Sequence, residues 1–222
     1  MSMSKVILGD CIEVMKGFQD NQFDLAIVDP PYGIGAATKK FHNGTNGKSG
    51  NKKWKQNTWE EYPVKEWDND VPNDNYFFEL FRVSKNQIIW GGNYFNLPLK
   101  SGWIFWDKKN GNSSYSDGEL AWSSFDKALR KFEWLWNGFQ KQRPEERFHP
   151  TQKPIALYDF CLQYGNAEVG MKILDTHLGS GSSRIAADKA GLDFTGIEID
   201  PEYFAASCKR YDNYKLQLNL FQ

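Results

Sequence analysis

An acidic residue follows a short apolar run near the N-terminus. The run is LAIV, Leu25 to Val28, and Asp29 comes directly after it, followed by two prolines and a tyrosine. A carboxylate at the carboxyl end of a buried strand lies where open α/β sheets bind ligands. The prolines fix φ, so the Asp29 carboxylate and the Pro30 carbonyl are held as rigid acceptors. With the flat ring of Tyr32, they predict a site for an amine-bearing nucleobase that has left its stack.

A second pattern with chemical meaning lies in the last quarter of the chain. ILDTHLGSGSS, residues 173–183, is typical of a strand, a Gly-x-Gly turn and the start of a helix. Glycines let the backbone approach a ligand closely, and a helix N-terminus favours an anionic group. Glu198 closes the next strand, 19 residues after Gly179, and an acid at about this distance commonly holds ribose hydroxyls. The alternative is a tight strand–helix turn without a ligand.

The third glycine of the dinucleotide fingerprint is missing from this turn, where Arg184 stands instead. This difference argues against NAD or FAD, because the full pattern cradles their pyrophosphate. A nucleoside ligand without a pyrophosphate fits better, and S-adenosylmethionine is one such ligand.

Strand and helix patterns alternate in the last third of the chain, which predicts a parallel sheet with right-handed crossovers. Continuous apolar strands are expected where helices cover both faces of a sheet. The Trp-rich segments are predicted to lie in the core rather than to stack on bases. The predicted strands are KVIL, FDLAIV, QIIW, WIFW, ELAW, FEWLW, MKILD and FTGIEI, and the predicted helices begin in CIEVMKGF, YFFELFRVS, IALYDFCLQYG, SRIAADKAG and PEYFAASCKRY.

The amino-acid composition of the chain limits the classes of function that it can be expected to have. The chain has 222 residues and a net charge of −1, so nucleic-acid binding would need a local basic patch. Its three cysteines and three histidines show neither a disulfide framework nor metal-ligand spacing, so no metal is expected. We see no signal segment and no apolar run near the ~20 residues of a membrane span. We therefore expect a cytoplasmic protein, either bacterial or phage-encoded and active in the host cytoplasm.

Four motifs together resemble one enzyme family. Asp-Pro-Pro-Tyr resembles the catalytic motif of the amino-methyltransferases that act on adenine N6 or cytosine N4 in DNA. ILDTHLGSGSS resembles their cofactor motif. HPTQKP, at residues 149–154, resembles the segment before that motif, and LGDCIEVM resembles the stretch that cups the cofactor adenine. Their order is that of the circularly permuted β group. Protein-glutamine methyltransferases use a related Asn-Pro-Pro-Tyr after their cofactor motif, so both the order and Asp29 argue against them.

The resemblance implies one α/β methyltransferase domain over residues 1–222, with a Rossmann-like, seven-stranded and mostly parallel sheet. It also implies S-adenosylmethionine as the cofactor. The catalytic residues would be Asp29, Pro30, Pro31 and Tyr32, which hold and polarise the target amine.

The same resemblance assigns residues to the cofactor. Asp10 would meet its adenine amine beside the Cys11 backbone, Glu198 its ribose hydroxyls, and Lys153 its methionine carboxylate. The Gly-Ser-Gly turn would line the methionine portion. The full set implied for the cofactor is Asp10, Cys11, Asp29, His149, Thr151, Lys153, Asp175, His177, Gly179, Ser180, Gly181, Ser182, Glu198 and Ile199.

The cofactor motif departs from the family pattern at two places. Thr176 and His177 replace the usual Pro-Phe, and Ser182 and Ser183 replace the usual Thr pair. The ring of His177 could stack as a phenylalanine does.

Two segments are candidates for contact with DNA. Residues 33–59 hold six lysines, five glycines and no acidic residue, which predicts a basic loop that begins in the catalytic motif. Basic residues mixed with aromatic ones suit a nucleic-acid backbone, although such a run is also typical of a solvated face. Residues 108–147 lie where the permuted group keeps its target-recognition region. The expected DNA contacts are Lys39, Lys40, Lys52, Lys53, Trp54 and Lys55.

The last residues suggest a protein partner. Gln217 to Phe221, QLNLF, resembles the pentapeptide by which bacterial proteins dock on the replication sliding clamp, with Leu and Phe as anchors for an apolar groove. The alternatives are a tail packed on its own domain and a contact within a homodimer.

Adenine N6 in DNA is the expected target, because Asp in the first motif position accompanies adenine more often than cytosine in this group. The alternatives are cytosine N4, an amine in RNA, and a non-catalytic DNA- or clamp-binding module that keeps the fold. The intact Asp-Pro-Pro-Tyr motif argues against the last of these.

Overall fold

The computed structural model describes residues 2–34, 71–111, 116–136, 141–142, 145, 149 and 151–219. The six expected DNA contacts in the basic loop lie outside the described residues. No helix in the described part of the chain is long and apolar enough to cross a membrane.

The described chain forms one central sheet with helices. The strands are β1 (Ser4–Leu8), β2 (Leu25–Val28), β3 (Gln87–Trp90), β4 (Trp103–Asp107), β5 (Gly118–Ser123), β6 (Arg130–Glu133), β7 (Lys172–Asp175) and β8 (Asp193–Glu198). The helices are α1 (Cys11–Lys16), α2 (Asp74–Val83), α3 (Ile155–Tyr164), α4 (Ser182–Lys189) and α5 (Pro201–Asn219), with a short 3₁₀ helix at Gly92–Tyr94.

The strand order is β1-β8-β7-β2-β3-β5-β4-β6. The first five strands in this order run parallel, β5 runs antiparallel to both β3 and β4, and β6 pairs parallel with β4. The mostly parallel α/β sheet is confirmed, but the expected count of seven strands is wrong. The eighth strand is the edge strand Arg130–Glu133, which begins just before the FEWLW segment.

Helices cover both faces of the sheet. Leu25 and Ile27 of β2 pack in one cluster with residues of α3 and α4, while Ala26 and Val28 pack in another with residues of α1 and α2. Successive side chains of a strand point to opposite faces, so an uninterrupted apolar strand serves two cores at once. The tryptophans that the Trp-rich segments place in the core are Trp90, Trp106, Trp122 and Trp136, and all four are buried.

Caps explain where two of these helices begin. The side chain of Asp10 accepts a hydrogen bond from the Glu13 backbone N–H at 3.0 Å, and the side chain of Asn73 accepts one from the Tyr76 N–H at 3.2 Å. Both carboxylate and amide oxygens satisfy backbone donors that have no partner within the helix.

The connections place a crevice between β7 and β2. From β7 the chain passes through α4 to β8 on one side, and from β2 it passes through α2 to β3 on the other. In open α/β sheets, ligands bind beyond the carboxyl ends of the strands at such a reversal. Asp175 and Asp29 stand at the two strand ends that border it.

The C-terminal segment differs from expectation. Gln217–Phe221 is predicted as a docking peptide, whereas α5 continues through Leu216 to Asn219 and includes the first three residues of that peptide. Each added residue of the helix gains a backbone hydrogen bond, and no proline or glycine interrupts this stretch. Leu220, Phe221 and Gln222 lie outside the described residues.

Candidate functional site

A cavity of about 270 Å³ opens at the carboxyl ends of β1, β8, β7 and β2. Eleven of the fourteen residues assigned to the cofactor line it, and so does Pro31 of the catalytic motif. The lining also includes seven residues that were not assigned to the cofactor or to catalysis, and three of them (Tyr158, Asp200 and Tyr203) lie outside the motifs. The seven are Gly9, Gln152, Tyr158, Thr176, Leu178, Asp200 and Tyr203. The three assigned residues absent from the lining are Asp175, Gly181 and Ser182, which are all buried.

The glycine turn is held in shape by Glu198. Gly179 and Gly181 have φ of 50° and 74°, a region that residues with a Cβ rarely adopt. The Gly179 N–H donates to Glu198 Oε2 at 2.8 Å, and the Asp200 N–H donates to Oε1 at 2.9 Å. Burial raises the pKa of Glu198, although these two donors oppose the shift. Each carboxylate oxygen keeps acceptor capacity, so the carboxyl group can still bind a hydroxyl in the cavity.

Asp175 does not line the cavity but stabilises the glycine turn through hydrogen bonds to residues on either side of it. Its carboxylate accepts from Ser183 Oγ at 2.5 Å and from the His177 backbone N–H at 3.0 Å. Burial raises the pKa of Asp175 to about 7 despite these donors. Ser183, where the family usually has threonine, supplies the hydroxyl for this bond.

The Thr-His replacement forms a polar wall of the cavity. Thr176 Oγ1 lies 2.7 Å from the Tyr76 hydroxyl and 2.9 Å from His177 Nδ1. The rings of Tyr76 and His177 meet edge to face at 5.3 Å, and His177 Nε2 lies 4.0 Å from the Cys11 sulfur. Burial lowers the pKa of His177 to about 4 and raises that of Cys11 to about 12. Both side chains are therefore neutral at neutral pH, which suits a wall against a nucleoside.

Arg210 of α5 anchors the same turn, and the sequence patterns did not reveal it. Its Nη1 donates to the Ser180 carbonyl at 2.9 Å and to Ser182 Oγ at 2.9 Å, and its Nη2 lies 3.3 Å from Glu145. The planar guanidinium can make these bonds together. Tyr203, one helical turn into α5, also lines the cavity and meets the His149 ring at 4.2 Å.

The Asp-Pro-Pro-Tyr motif takes part in a charge cluster around the buried ammonium group of Lys153. Tyr32 donates its hydroxyl to Asp29 Oδ1 at 2.6 Å, and Lys153 Nζ lies 2.6 Å from Asp29 Oδ2. Lys153 also lies 2.9 Å from Glu119 Oε2, a residue that the motifs did not indicate. The ammonium group expected near the cofactor carboxylate thus contacts two protein carboxylates. Burial raises the pKa of Asp29, and Lys153 offsets this effect in part.

Aromatic rings surround Tyr32. Tyr94 stacks on it with 5.1 Å between ring centroids and 12° between ring planes, and Phe95 meets it edge-on at 6.2 Å. Gly91, with φ of 69°, leaves room for this ring, because a Cβ there would lie 2.1 Å from Tyr32 Cε1. The stacked Tyr94 shows that a face of Tyr32 accommodates a planar ring.

Sequence comparison identifies the family. The N6/N4 methyltransferase family model, described as DNA methylase, matches residues 51–209. The chain belongs to this family. It is an S-adenosylmethionine-dependent DNA methyltransferase.

Relatives of this methyltransferase match over most of its length. It is 24% identical to the Type II methyltransferase M2.MboI of Moraxella bovis, over 91% of this chain and 85% of that protein. It is also 24% identical to the Type II methyltransferase M.HpaI of Haemophilus parainfluenzae, over 94% and 74% respectively.

Solved structures share the methyltransferase fold. The M1.HpyAVI–SAM complex has a TM-score of 0.57 at 20% identity and covers 94% of this chain and 100% of its own. The cytosine-N4-specific PvuII DNA methyltransferase has a TM-score of 0.59 at 14% identity and covers 95% and 87%. At these identities the likeness concerns the fold alone.

The contact between Gly91 and Tyr32 can be tested in the methyltransferase. We expect Gly91→Ala to abolish methyl transfer, because the new Cβ would displace the Tyr32 ring, and to cost at least about 1–3 kcal/mol in stability. Gly170→Ala is the matched control, since Gly170 has φ of 86° but no described atom within 4 Å of the Cβ position. The control should lose about 1 kcal/mol and keep its activity. Equal activity losses in the two variants would contradict this prediction.

Arg210 can be tested through cofactor affinity. We expect Arg210→Met to raise the cofactor dissociation constant at least about tenfold, because the variant loses the charge-assisted hydrogen bonds that hold the turn, each worth about 1.5–3 kcal/mol. Arg184→Met is the control, since Arg184 is also buried but bonds Ser4 and stacks on Tyr211. Isothermal titration should show weaker binding in the first variant alone. An unchanged cofactor dissociation constant in Arg210→Met would show that Arg210 does not position the turn for the cofactor.

Proposed function

We propose that this methyltransferase transfers a methyl group from S-adenosylmethionine to the N6 amine of adenine in DNA. The observation that carries the proposal is that Asp29 and Pro31 line the same cavity as Glu198 and the glycine turn. An acceptor for the target amine and a site for the methyl donor therefore share one space. Reacting groups held together in this way gain most of their acceleration from positioning.

The cavity residues suit S-adenosylmethionine by their chemistry. Asp10 and Glu198 provide acceptors for the amine and hydroxyl groups of a nucleoside, and the left-handed glycines keep side chains off the turn that faces it. The neutral ring of His177 and the ring of Tyr203 provide flat walls. When bound, the cofactor supplies a methyl group already activated by the sulfonium charge.

Asp29 and the Pro30 carbonyl would act on the target amine. An exocyclic amine is a poor nucleophile because its lone pair is delocalised into the ring. Two acceptors that engage its hydrogens would favour a pyramidal nitrogen whose lone pair is available to the methyl group. As the N–C bond forms, the C–S bond would break and the thioether would leave, and the nitrogen would then lose one proton to solvent. The nitrogen gains positive charge as the N–C bond forms, and a carboxylate in a buried site stabilises that charge. The target base has to leave the duplex to reach Asp29, and Tyr32 offers it an aromatic surface.

Adenine is favoured over cytosine by the Asp in the first motif position. The fold does not distinguish the two targets, because the PvuII enzyme, which is cytosine-N4-specific, shares it. The same machinery could act on cytosine N4 or on an amine in RNA. A non-catalytic module would have no use for a carboxylate kept buried beside the cofactor cavity.

Contact with DNA is assigned to two segments of a single domain, residues 1–222. The basic loop at 33–59 would bind the phosphate backbone through its lysines. Within the proposed target-recognition region, 108–147, β5 and β6 belong to the central sheet. Recognition would therefore fall to the stretches on either side of these strands.

The proposed reaction can be tested on unmethylated genomic DNA with methyl-labelled cofactor. We expect nucleoside mass spectrometry to show labelled N6-methyladenine with the wild type. Asp29→Ala should lower the yield by about 10²–10³-fold, since a preorganised acceptor of this kind is worth roughly 3–4 kcal/mol.

Asp24→Ala is the matched control, because Asp24 precedes the opposite end of β2 and bonds Lys85 and the Lys172 N–H. It should methylate as the wild type does. N4-methylcytosine in place of N6-methyladenine would keep the mechanism and overturn the substrate. Absence of label in DNA from a protein that binds the cofactor would redirect the test to RNA and then to the binding-module alternative.

We also propose a docking peptide for the bacterial sliding clamp at Gln217–Phe221, which would place the enzyme at replication in the bacterial cytoplasm. Since α5 continues to Asn219, the peptide would have to leave the helix to bind as an extended segment. A homodimer contact through the same tail is the competing assignment.

Deletion of residues 217–222 tests the docking peptide. We expect the deletion to remove binding to purified clamp in surface plasmon resonance and to leave the rate on short oligonucleotides within about twofold, because the tail begins 14 residues after Tyr203, the last residue that lines the cavity. Unchanged clamp binding would refute the assignment. A change from dimer to monomer in light scattering would support the homodimer contact instead.

A further inference from the structure

The buried ammonium group of Lys153 lies between two half-buried carboxylates. Its ammonium is 2.6 Å from Asp29 and 2.9 Å from Glu119, and its side chain is 4% exposed. Lys108 in turn pairs with the other oxygen of Glu119. Two acids and two bases thus alternate in a row that begins at the catalytic motif.

Glu119 reaches the site because of strand direction. It is the second residue of β5, which runs antiparallel to β3, and Ala121 of β5 pairs with Trp90 at the end of β3. The beginning of an antiparallel strand lies at the same sheet edge as the ends of the parallel strands. Glu119 therefore extends beyond Trp90 toward Asp29.

The ion pair with Lys153 conflicts with the work assigned to Asp29. Tyr32 occupies one oxygen of Asp29 and Lys153 the other. In methyl transfer the target nitrogen gains positive charge next to Asp29. An ammonium held on the same carboxylate would repel that charge and weaken the acceptor.

We infer that Glu119 is a positioning residue for methyl transfer, which takes over the Lys153 ammonium when the target amine binds Asp29. This inference rests on the proposed function of Asp29. Lys153 already contacts Glu119. Moving its ammonium group from Asp29 to Glu119 therefore requires only the loss of the contact with Asp29. Lys108 fixes the Glu119 carboxylate from the far side.

The electrostatics of the cluster favour this exchange. Burial alone would raise the pKa of Glu119, but Lys153 and Lys108 outweigh it and hold that pKa at about 2. Burial alone would lower the pKa of Lys153, but Asp29 and Glu119 raise it. The pair that remains after the exchange, Lys153 with Glu119, thus keeps both charges at neutral pH.

A double-mutant cycle tests the inference. Single-turnover rates would be measured at saturating cofactor and DNA for the wild type, Glu119→Gln, Lys153→Met and the double variant. We expect Glu119→Gln to slow the rate at least about tenfold, because Lys153 then stays on Asp29. Adding Lys153→Met to Glu119→Gln should recover much of the rate, because the competing cation is gone and the net charge of the cluster is restored. Two substitutions that only damaged the structure would not restore the rate when combined, so such a recovery would show that the two residues are coupled.

Controls separate this inference from its alternatives. Asp159→Asn removes an exposed carboxylate that pairs with Lys189, outside the proposed recognition region, and it should leave the rate unchanged. Cofactor and DNA dissociation constants and melting temperature would be measured for every variant. We expect the slow Glu119→Gln variant to bind both ligands as the wild type does.

Different outcomes would overturn the proposed function of the enzyme and the positioning role of Glu119. A wild type that labels no DNA amine would overturn the proposed function. With an active wild type, a normal rate in Glu119→Gln, or a double variant slower than Glu119→Gln, would overturn the role of Glu119 alone. A raised cofactor dissociation constant in Lys153→Met, with no recovery in the double variant, would assign Lys153 to the cofactor carboxylate.

Discussion

The parallel alignment of β1, β8, β7 and β2 is the constraint on which the site depends. The backbone groups at the ends of these strands have no further partners in the ladder, so polar residues gather there. Glu198 binds two backbone N–H groups at this edge, and Asp175 binds a third. The helices on both faces exclude water from the sheet. The site therefore consists of acidic groups at the border of an apolar core, and burial raises the pKa of both acids.

Burial makes the partners of each charge decisive. Asp29, Lys153 and Glu119 are held by one another, since an isolated charge at this depth would cost several kcal/mol. The same burial makes Asp29 a strong acceptor once its partner moves away. The stability of the site thus favours Lys153 as the partner of the Asp29 carboxylate. Reactivity favours the target amine as its partner instead. A second acid beside Lys153 reconciles the two requirements.

Sequence patterns were sufficient for the parts of the site that are local in the chain. Asp29 after an apolar strand and the glycine turn before α4 are each positioned by their own neighbours, so the motifs located them. Glu119 and Arg210 were missed, because each reaches the site only through the pairing of distant elements. The antiparallel direction of β5 brings Glu119 to the edge, and the packing of α5 brings Arg210 to the turn. The apolar and polar patterns located most strands and helices, and the predicted strand FEWLW overlaps the edge strand β6 by two residues. The count of seven strands followed the family resemblance and fell one short.

The departures from the family pattern at Thr176 and His177 illustrate how a change of residue type can keep a cavity wall uncharged. A Pro-Phe pair would form an apolar wall without hydrogen bonds of its own. Here the Thr176 hydroxyl lies within hydrogen-bond distance of both Tyr76 and His177, which satisfies polar groups that would otherwise be costly to bury. The low pKa of His177 keeps its ring uncharged. The wall is therefore polar in composition but neutral and rigid toward a ligand, which are the properties that a phenylalanine would supply there.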